Sequence, residues 1–279
     1  MNILDSFYKG KVFDGFHITY LVVSVIISVL LLVLGKRYLK KDKQKNIFFM
    51  VFAFLAFISH ISTIWVDFVF SPLNEGINGA ISGFGHISDN ILFVVYPCNF
   101  VMVCVFIMSL IKNKKSKFFQ GMATFCFYTG IIGNIAALVY PSTFYHPQFT
   151  YAIFKAFLSH STLLIASIWL LVGGYFKPRL TNVIPFAVGG LSMITLGWIN
   201  IGIFSISGHR TDFIMFLQSP AVPGTFLNAY VLYGLAIALI ALFGFLIEFK
   251  IKKEERSYIK FKIFDNLENI QITDNSQAN

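Results

Sequence analysis

The chain has 279 residues, of which 56% are hydrophobic, 17% aromatic and only 13% charged, and its formal net charge is +9. A soluble globular domain carries about 25% charged residues. The composition excludes a disordered chain and a collagen-like repeat. It also excludes a disulfide scaffold, since the chain has only three cysteines and they show no C-x-x-C spacing. It predicts an all-α, polytopic helical membrane protein.

Seven apolar stretches follow one another along the chain, and each is long enough to cross a bilayer as a helix. The predicted spans are 16–35, 47–70, 91–111, 118–140, 149–175, 181–207 and 227–249. Turn-forming residues separate them, as at Ser71-Pro72 and Ser219-Pro220. The sequence thus predicts a transmembrane domain over 1–249 and a basic, mobile cytoplasmic tail over 250–279.

The basic residues are concentrated in alternate breaks between the spans. The breaks after the first, third and fifth spans and the C-terminal tail hold 18 of the 22 Lys and Arg residues. By the positive-inside rule, this predicts seven spans in the cell membrane, with the N-terminus outside and the C-terminus in the cytoplasm. The positive charge then indicates contact with anionic lipid headgroups at the cytoplasmic face, not with nucleic acid. Residues 1–16 contain Asp5 and Asp14 and do not predict a cleavable signal peptide.

The polar residues inside the predicted spans lie mainly in their outer halves. Because such residues are costly in hydrocarbon, they indicate a functional site by default. The set consists of His60, Asp67, Cys98, Asn99, Asn134, Lys155, His160 and Asn200. Together these residues predict a polar pocket open to the outer face or the outer leaflet. Pro97 is expected to bend the third span and widen the pocket beside Cys98.

Several of these residues also have a structural interpretation. Asn134 and Asn200 can hydrogen-bond neighbouring helices, and His160 can do the same. Lys155 can extend along its helix toward the membrane surface, and Asp67 can do so too or can orient His60. The remaining cysteines, Cys104 and Cys126, are expected to be small packing residues.

A cysteine and a histidine from neighbouring spans at the same depth are the minimum set for acyl transfer. The imidazole of His160 would remove the proton of Cys98, and the thiolate would attack an acyl ester. Asn99 or Asn134 could donate a hydrogen bond to the oxyanion that develops. Membrane lipids are the expected acyl donor and acceptor, since their chains can remain in hydrocarbon, and no cofactor is predicted.

Short sequence motifs lie in the middle of the chain. The segment GIIGNIAALVYP at 130–141 is similar to the signature G-x-x-G…A-L-x-x-P of the YwaF-type family of integral membrane proteins. The segment FLSHS at 157–161 resembles its F-x-x-H-G/S motif, and YPCN at 96–99 occupies the place of its cysteine motif. Asn200 and QSPAVP at 218–223 resemble its later Asn and G-P-x-P elements, so that the resemblance covers about residues 91–225.

The resemblance implies an acyltransferase that moves fatty acyl chains between phospholipids, with Cys98 as nucleophile and His160 as base. Three other functions remain open. A transporter and a ligand sensor are non-enzymatic alternatives for a seven-helix protein. Metal-dependent hydrolysis would draw on histidines and aspartates without a recognised ligand spacing, namely His17, His60, His86, His146, Asp67 and Asp89.

Overall fold

The computed structural model describes residues 12–81, 94, 96–140, 150–206, 214–220, 224–251 and 256. All regular structure in this part of the chain is helical. Its helices are α1 (Gly15–Tyr38), α2 (Asp42–Ile81), α3 (Pro97–Leu110), α4 (Lys117–Val139), α5 (Thr150–Val172), α6 (Val183–Ile206) and α7 (Ala229–Phe249). Two short 3-10 turns, Leu180–Asn182 and Ile214–Phe216, precede and follow α6. The sequence prediction of an all-α protein is confirmed for these residues.

Among the described residues, six helical segments are long and apolar enough to cross a membrane, and α3 is a shorter apolar helix of 14 residues. The protein is therefore a multi-pass helical membrane protein. Half of the residues in the most apolar segment of α5 are buried, against 11% in α1 and α7. Helix α5 is therefore central, and the other two are peripheral. Consistent with this, α5 contacts α1, α2, α3 and α4.

Two of the predicted helix boundaries are wrong, and proline explains both. The third helix begins at Pro97, preceded by Tyr96 with an extended backbone, and not at residue 91. Proline suits the first position of a helix because the N–H group it lacks would have no partner there. Pro97 therefore starts α3 and does not bend it. Conversely, Ser71-Pro72 does not end α2, whose backbone stays helical to Ile81, since a long helix can lose one backbone hydrogen bond.

Hydrogen bonds hold together the helix ends that carry the basic residues. The indole Nε1 of Trp169, near the end of α5, donates to the Lys45 carbonyl at the start of α2, at 3.1 Å. Just after α5, the hydroxyl of Tyr175 donates to Asn46 Oδ1 at 2.7 Å. We call this side of the bundle, where α2 and α4 begin and α3, α5 and α7 end, the basic end.

The basic end also contains the buried carboxylate of Glu248, in the last turn of α7. Its Oε1 accepts the backbone N–H of Leu180 at 3.0 Å, where the chain enters the 3-10 turn before α6. A carboxylate is stabilising at the start of a helix because the N–H groups there lack partners. Gly244, one turn earlier in α7, allows this approach, since a Cβ atom there would meet the backbone of Leu180 at 2.7 Å.

Candidate functional site

Cys98 lies at the start of α3, where the helix exposes backbone donors. It is the second residue of the helix, after Pro97. Its Sγ approaches the backbone N–H groups of Cys98 itself and of Asn99, and the thiol donates to Asn99 Oδ1 at 3.5 Å. The partial positive charge of a helix N-terminus stabilises negative charge placed there. The sulfur therefore lies beside backbone donors that would interact favourably with a negative charge.

His160, in the first half of α5, has one ring nitrogen fixed by Asn134 of α4. Its Nδ1 lies 2.8 Å from Asn134 Oδ1. The amide of Asn134 can have only one orientation, because its Nδ2 donates to the Gly130 carbonyl at 2.6 Å. Since an amide oxygen only accepts, Nδ1 of His160 must carry the proton, and Nε2 keeps the lone pair that a base requires.

This geometry changes the interpretation of Asn134. The sequence left open whether it donates to an oxyanion or links two helices. Its Oδ1 accepts from His160, and its Nδ2 donates to the Gly130 carbonyl within α4. Asn134 therefore links α4 to α5 and also sets the tautomer of His160. Asn134 lies beside His160 as the third residue of a catalytic triad lies beside its histidine, which it orients.

Lys155 and His60 complete a cluster of polar side chains around Cys98. The ammonium group of Lys155 is close enough to interact electrostatically with the Cys98 thiol and with the rings of His60 and His160. His60 is buried on α2. The cluster thus unites side chains from α2, α3 and α5, and Asn134 adds α4.

Lys155 lies within electrostatic range of Cys98 and His160, which favours a place in the cluster over the alternative that it extends to the membrane surface. Its position in α5 does not reveal this. Lys155 and His160 are five residues apart, so their Cα–Cβ directions differ by about 140° at 3.6 residues per turn. Only the long side chain brings the ammonium group to the histidine side. Helical periodicity therefore gives no signal for this contact.

The structure does not bring all of the predicted site residues into one described network of contacts. Cys98 and His160, which are both described, share no hydrogen bond. Asn200 is buried on α6, and its Nδ2 approaches the Val94 carbonyl at 3.4 Å, near the start of α3. Asp67 lies on α2 beyond the part whose side chains are described. His86, Asp89 and His146 also lie outside the described residues.

His17 has a structural role at the end of the bundle opposite the basic end. Its Nδ1 accepts the backbone N–H of Phe13 at 2.9 Å, so the proton is on Nε2, which donates to the Leu138 carbonyl at 2.8 Å. The ring also stacks on Phe157 of α5. Both ring nitrogens are therefore engaged in linking α1 to α4. No group of three or more potential metal ligands occurs among the residues that the structure describes.

The fold and this cluster define a class of protein: a multi-pass helical membrane protein with polar, potentially reactive side chains between its helices. The sequence model of the TMEM164 family matches residues 12–247. The chain therefore belongs to the TMEM164 family. No curated protein and no solved structure matches the chain.

The assignment to the YwaF-type family is therefore wrong, since the match over residues 12–247 is to a different family. The structure shows why the short motifs are a weak guide. A Cβ atom at Gly130 would overlap Ser167 Oγ and lie 2.9 Å from Ser167 Cβ, so glycine is required where α4 crosses α5. Pro97 suits the first position of α3. Membrane helices commonly need small residues at crossings, whichever family they belong to.

Proposed function

We propose that the protein is a membrane-embedded acyltransferase that transfers acyl chains of phospholipids or lipoproteins through Cys98 and His160. The observation that carries this proposal is the fixed tautomer of His160, whose Nε2 is left as a base in the same cluster as a cysteine at a helix N-terminus. A packing histidine would be expected to use both ring nitrogens, as His17 does.

The reaction divides into two steps. In the first, the sulfur of Cys98 forms a bond to the acyl carbonyl carbon, its proton passes through His160 Nε2 to the leaving oxygen, and a lysolipid departs. In the second, the acceptor hydroxyl attacks the thioester, its proton passes through His160 to the sulfur, and the thiol is restored. The backbone N–H groups of Cys98 and Asn99 stabilise the negative sulfur. Cys98 and His160 share no hydrogen bond among the described residues, so the proton transfer requires the two side chains to come within hydrogen-bond reach when substrate binds.

The basic end faces the cytoplasm in this proposal. Its helix ends adjoin the Lys- and Arg-rich segments, which by the positive-inside rule lie beside anionic headgroups. The chain then crosses the cell membrane seven times, with the N-terminus outside, and the third crossing is the one that contains the short helix α3. The cluster around Cys98 lies toward the outer leaflet, from which a lipid can enter without leaving the bilayer. The tail over 250–279 extends into the cytoplasm.

A transfer assay in proteoliposomes tests the function. The full chain is reconstituted with a phospholipid that carries a labelled acyl chain and with an unlabelled lysophospholipid. We expect the label to appear in the newly acylated acceptor with wild-type protein and not with Cys98→Ser, while Cys104→Ser, a cysteine outside the cluster, remains active. Equal transfer by wild type and Cys98→Ser would refute the proposal. Uptake of a solute without any transfer would favour the transporter alternative.

A further inference from the structure

The backbone is strained on both sides of the contact between α6 and the start of α3. Val94, which precedes α3, has a φ of 52°, and Met215 and Phe216, which follow α6, have φ values of 51° and 56°. These are left-handed conformations that side-chain-bearing residues rarely adopt, a β-branched valine least of all. Such a residue costs about 1–3 kcal/mol and persists only where its surroundings impose it, commonly at functional sites. The described part of the chain has four such residues other than glycine, and three of them lie here.

One face of α6 supplies contacts to both strained segments. Asn200 is buried, and its Nδ2 donates a long hydrogen bond to the Val94 carbonyl at 3.4 Å. Gly197 lies three residues earlier and therefore on the same face of the helix. A Cβ atom there would lie 2.6 Å from Leu217 Cδ1 and 2.9 Å from Met215 Cγ. Glycine thus allows the chain that follows α6 to fold back onto this helix.

The chain that folds back onto α6 also contacts the residue from which α3 begins. The ring centroids of Phe216 and Tyr96 are 6.0 Å apart. The carbonyl of Tyr96 accepts the backbone N–H groups of Asn99 and Phe100 at 3.0 and 3.2 Å. These bonds form the first turn of α3, which carries Cys98. A shift of the backbone at Val94 or Tyr96 would therefore move the cysteine.

We propose that Asn200 is a positioning residue, which holds the backbone at Val94 and thereby fixes the place of Cys98 at the start of α3. This inference rests on the proposed acyl transfer. A misplacement of about 1 Å in a reacting group can cost about a hundredfold in rate. Losing one long hydrogen bond while the ring contact of Phe216 remains should cost less, about tenfold. Asn200 then acts through the backbone that precedes α3 and does not bind the lipid.

Hydrogen exchange tests the positioning without requiring catalysis. The full chain in detergent is compared with Asn200→Leu, whose side chain is similar in size but cannot donate. In the variant, the N–H groups of Asn99 and Phe100 should exchange about tenfold faster, because the first turn of α3 opens more readily. Peptides from the basic end should exchange as in the wild type. Asn200→Gln keeps an amide donor and should recover part of the protection.

The matched control is Thr195→Val on the same helix, whose exposed hydroxyl donates only within α6, to the Leu191 carbonyl. It should leave exchange at the start of α3 unchanged. Asn200→Ala, which adds no bulk, is the second variant should Asn200→Leu fail to fold. Wild-type exchange of Asn99 and Phe100 in a folded Asn200 variant would overturn the inference.

Kinetics distinguish positioning from lipid binding and from general helix packing. Asn200→Leu should lower kcat about tenfold per folded molecule and leave KM unchanged, and Asn200→Gln should recover part of kcat. A raised KM with unchanged kcat would show that Asn200 binds the lipid, and the inference is then incorrect. A lower thermal midpoint with unchanged kcat would mean that Asn200 only packs helices, which also overturns it. Should the wild type transfer no acyl chain, the proposed function fails, whereas exchange still decides whether Asn200 holds the start of α3.

Discussion

Lys114 at the basic end and Lys155 in the cluster around Cys98 differ in the partners of their ammonium groups. At the basic end, Lys114 Nζ donates to the carbonyls of Met108 and Ser109 at 2.7 and 2.9 Å. It also lies over the rings of Phe49 and Phe119. Lys155, in the cluster around Cys98, has no such partner among the described residues. The lysine at the basic end thus stabilises the bundle, whereas the proposed function assigns the polar groups of the cluster to a substrate.

The largest expected effect concerns His160. His160→Ala should lower acyl transfer about a hundredfold or more, the usual contribution of a general base. Its thermal midpoint should also fall, because the buried Oδ1 of Asn134 loses its hydrogen-bond donor. Transfer rates in proteoliposomes, normalised to folded protein, measure this effect. A variant that retains wild-type transfer would show that His160 is a packing residue.

The next effect tests whether Asn134 acts through His160. Asn134→Leu should lower transfer about tenfold to a hundredfold, since the histidine loses the partner that fixes its tautomer. The double variant Asn134→Leu/His160→Ala should be no slower than His160→Ala alone, because groups that act as a unit are not additive. Rates that multiply in the double variant would mean that Asn134 contributes independently of the histidine.

At the basic end the expected effect is on stability and not on transfer. Glu248→Ala removes the buried acceptor of the Leu180 N–H group and should lower the free energy of unfolding by about 2 kcal/mol. Thermal unfolding in detergent measures the change. Transfer per folded molecule should remain at the wild-type level. A selective loss of transfer with unchanged stability would contradict the division between the two ends.

The smallest effects should have opposite signs. Lys114→Met removes two hydrogen bonds at the end of α3 and should destabilise the protein by about 1 kcal/mol. Lys155→Met removes a charge that has no hydrogen bond or ion pair among the described residues, and it should stabilise the protein by about 1 kcal/mol. Paired unfolding curves for the two variants provide the measurement. Destabilisation by both substitutions would show that Lys155 has a structural partner.

Much of the fold could be predicted from the sequence because long apolar runs separated by charged breaks have few alternative structures. The predicted helix boundaries were wrong where the effect of proline depends on its position in the helix. Pro97 starts α3 later than predicted, and α2 continues past Pro72. The candidate site residues could also be identified from the sequence, because few polar residues lie within the apolar segments.

The arrangement within the cluster could not be predicted. The hydrogen bond between Asn134 and His160 depends on how α4 and α5 approach, which is made possible by Gly130 against Ser167. The electrostatic interaction of Lys155 with Cys98 and His160 depends on side-chain rotamers that helical spacing does not determine. The full engagement of His17 with Phe13 and Leu138 likewise depends on the tertiary structure. Before that packing is known, a structural histidine and a candidate base look the same.

The most direct test of the account is the detection of an acyl-enzyme. Wild-type protein incubated with phospholipid and no acceptor is analysed by intact-mass and peptide mass spectrometry. We predict an adduct with the mass of one acyl chain on the peptide that contains Cys98, released by hydroxylamine as a thioester should be and absent from Cys98→Ser. An adduct of equal yield in Cys98→Ser, or transfer that proceeds with no acylation of Cys98, would contradict the assignment of Cys98 as the nucleophile.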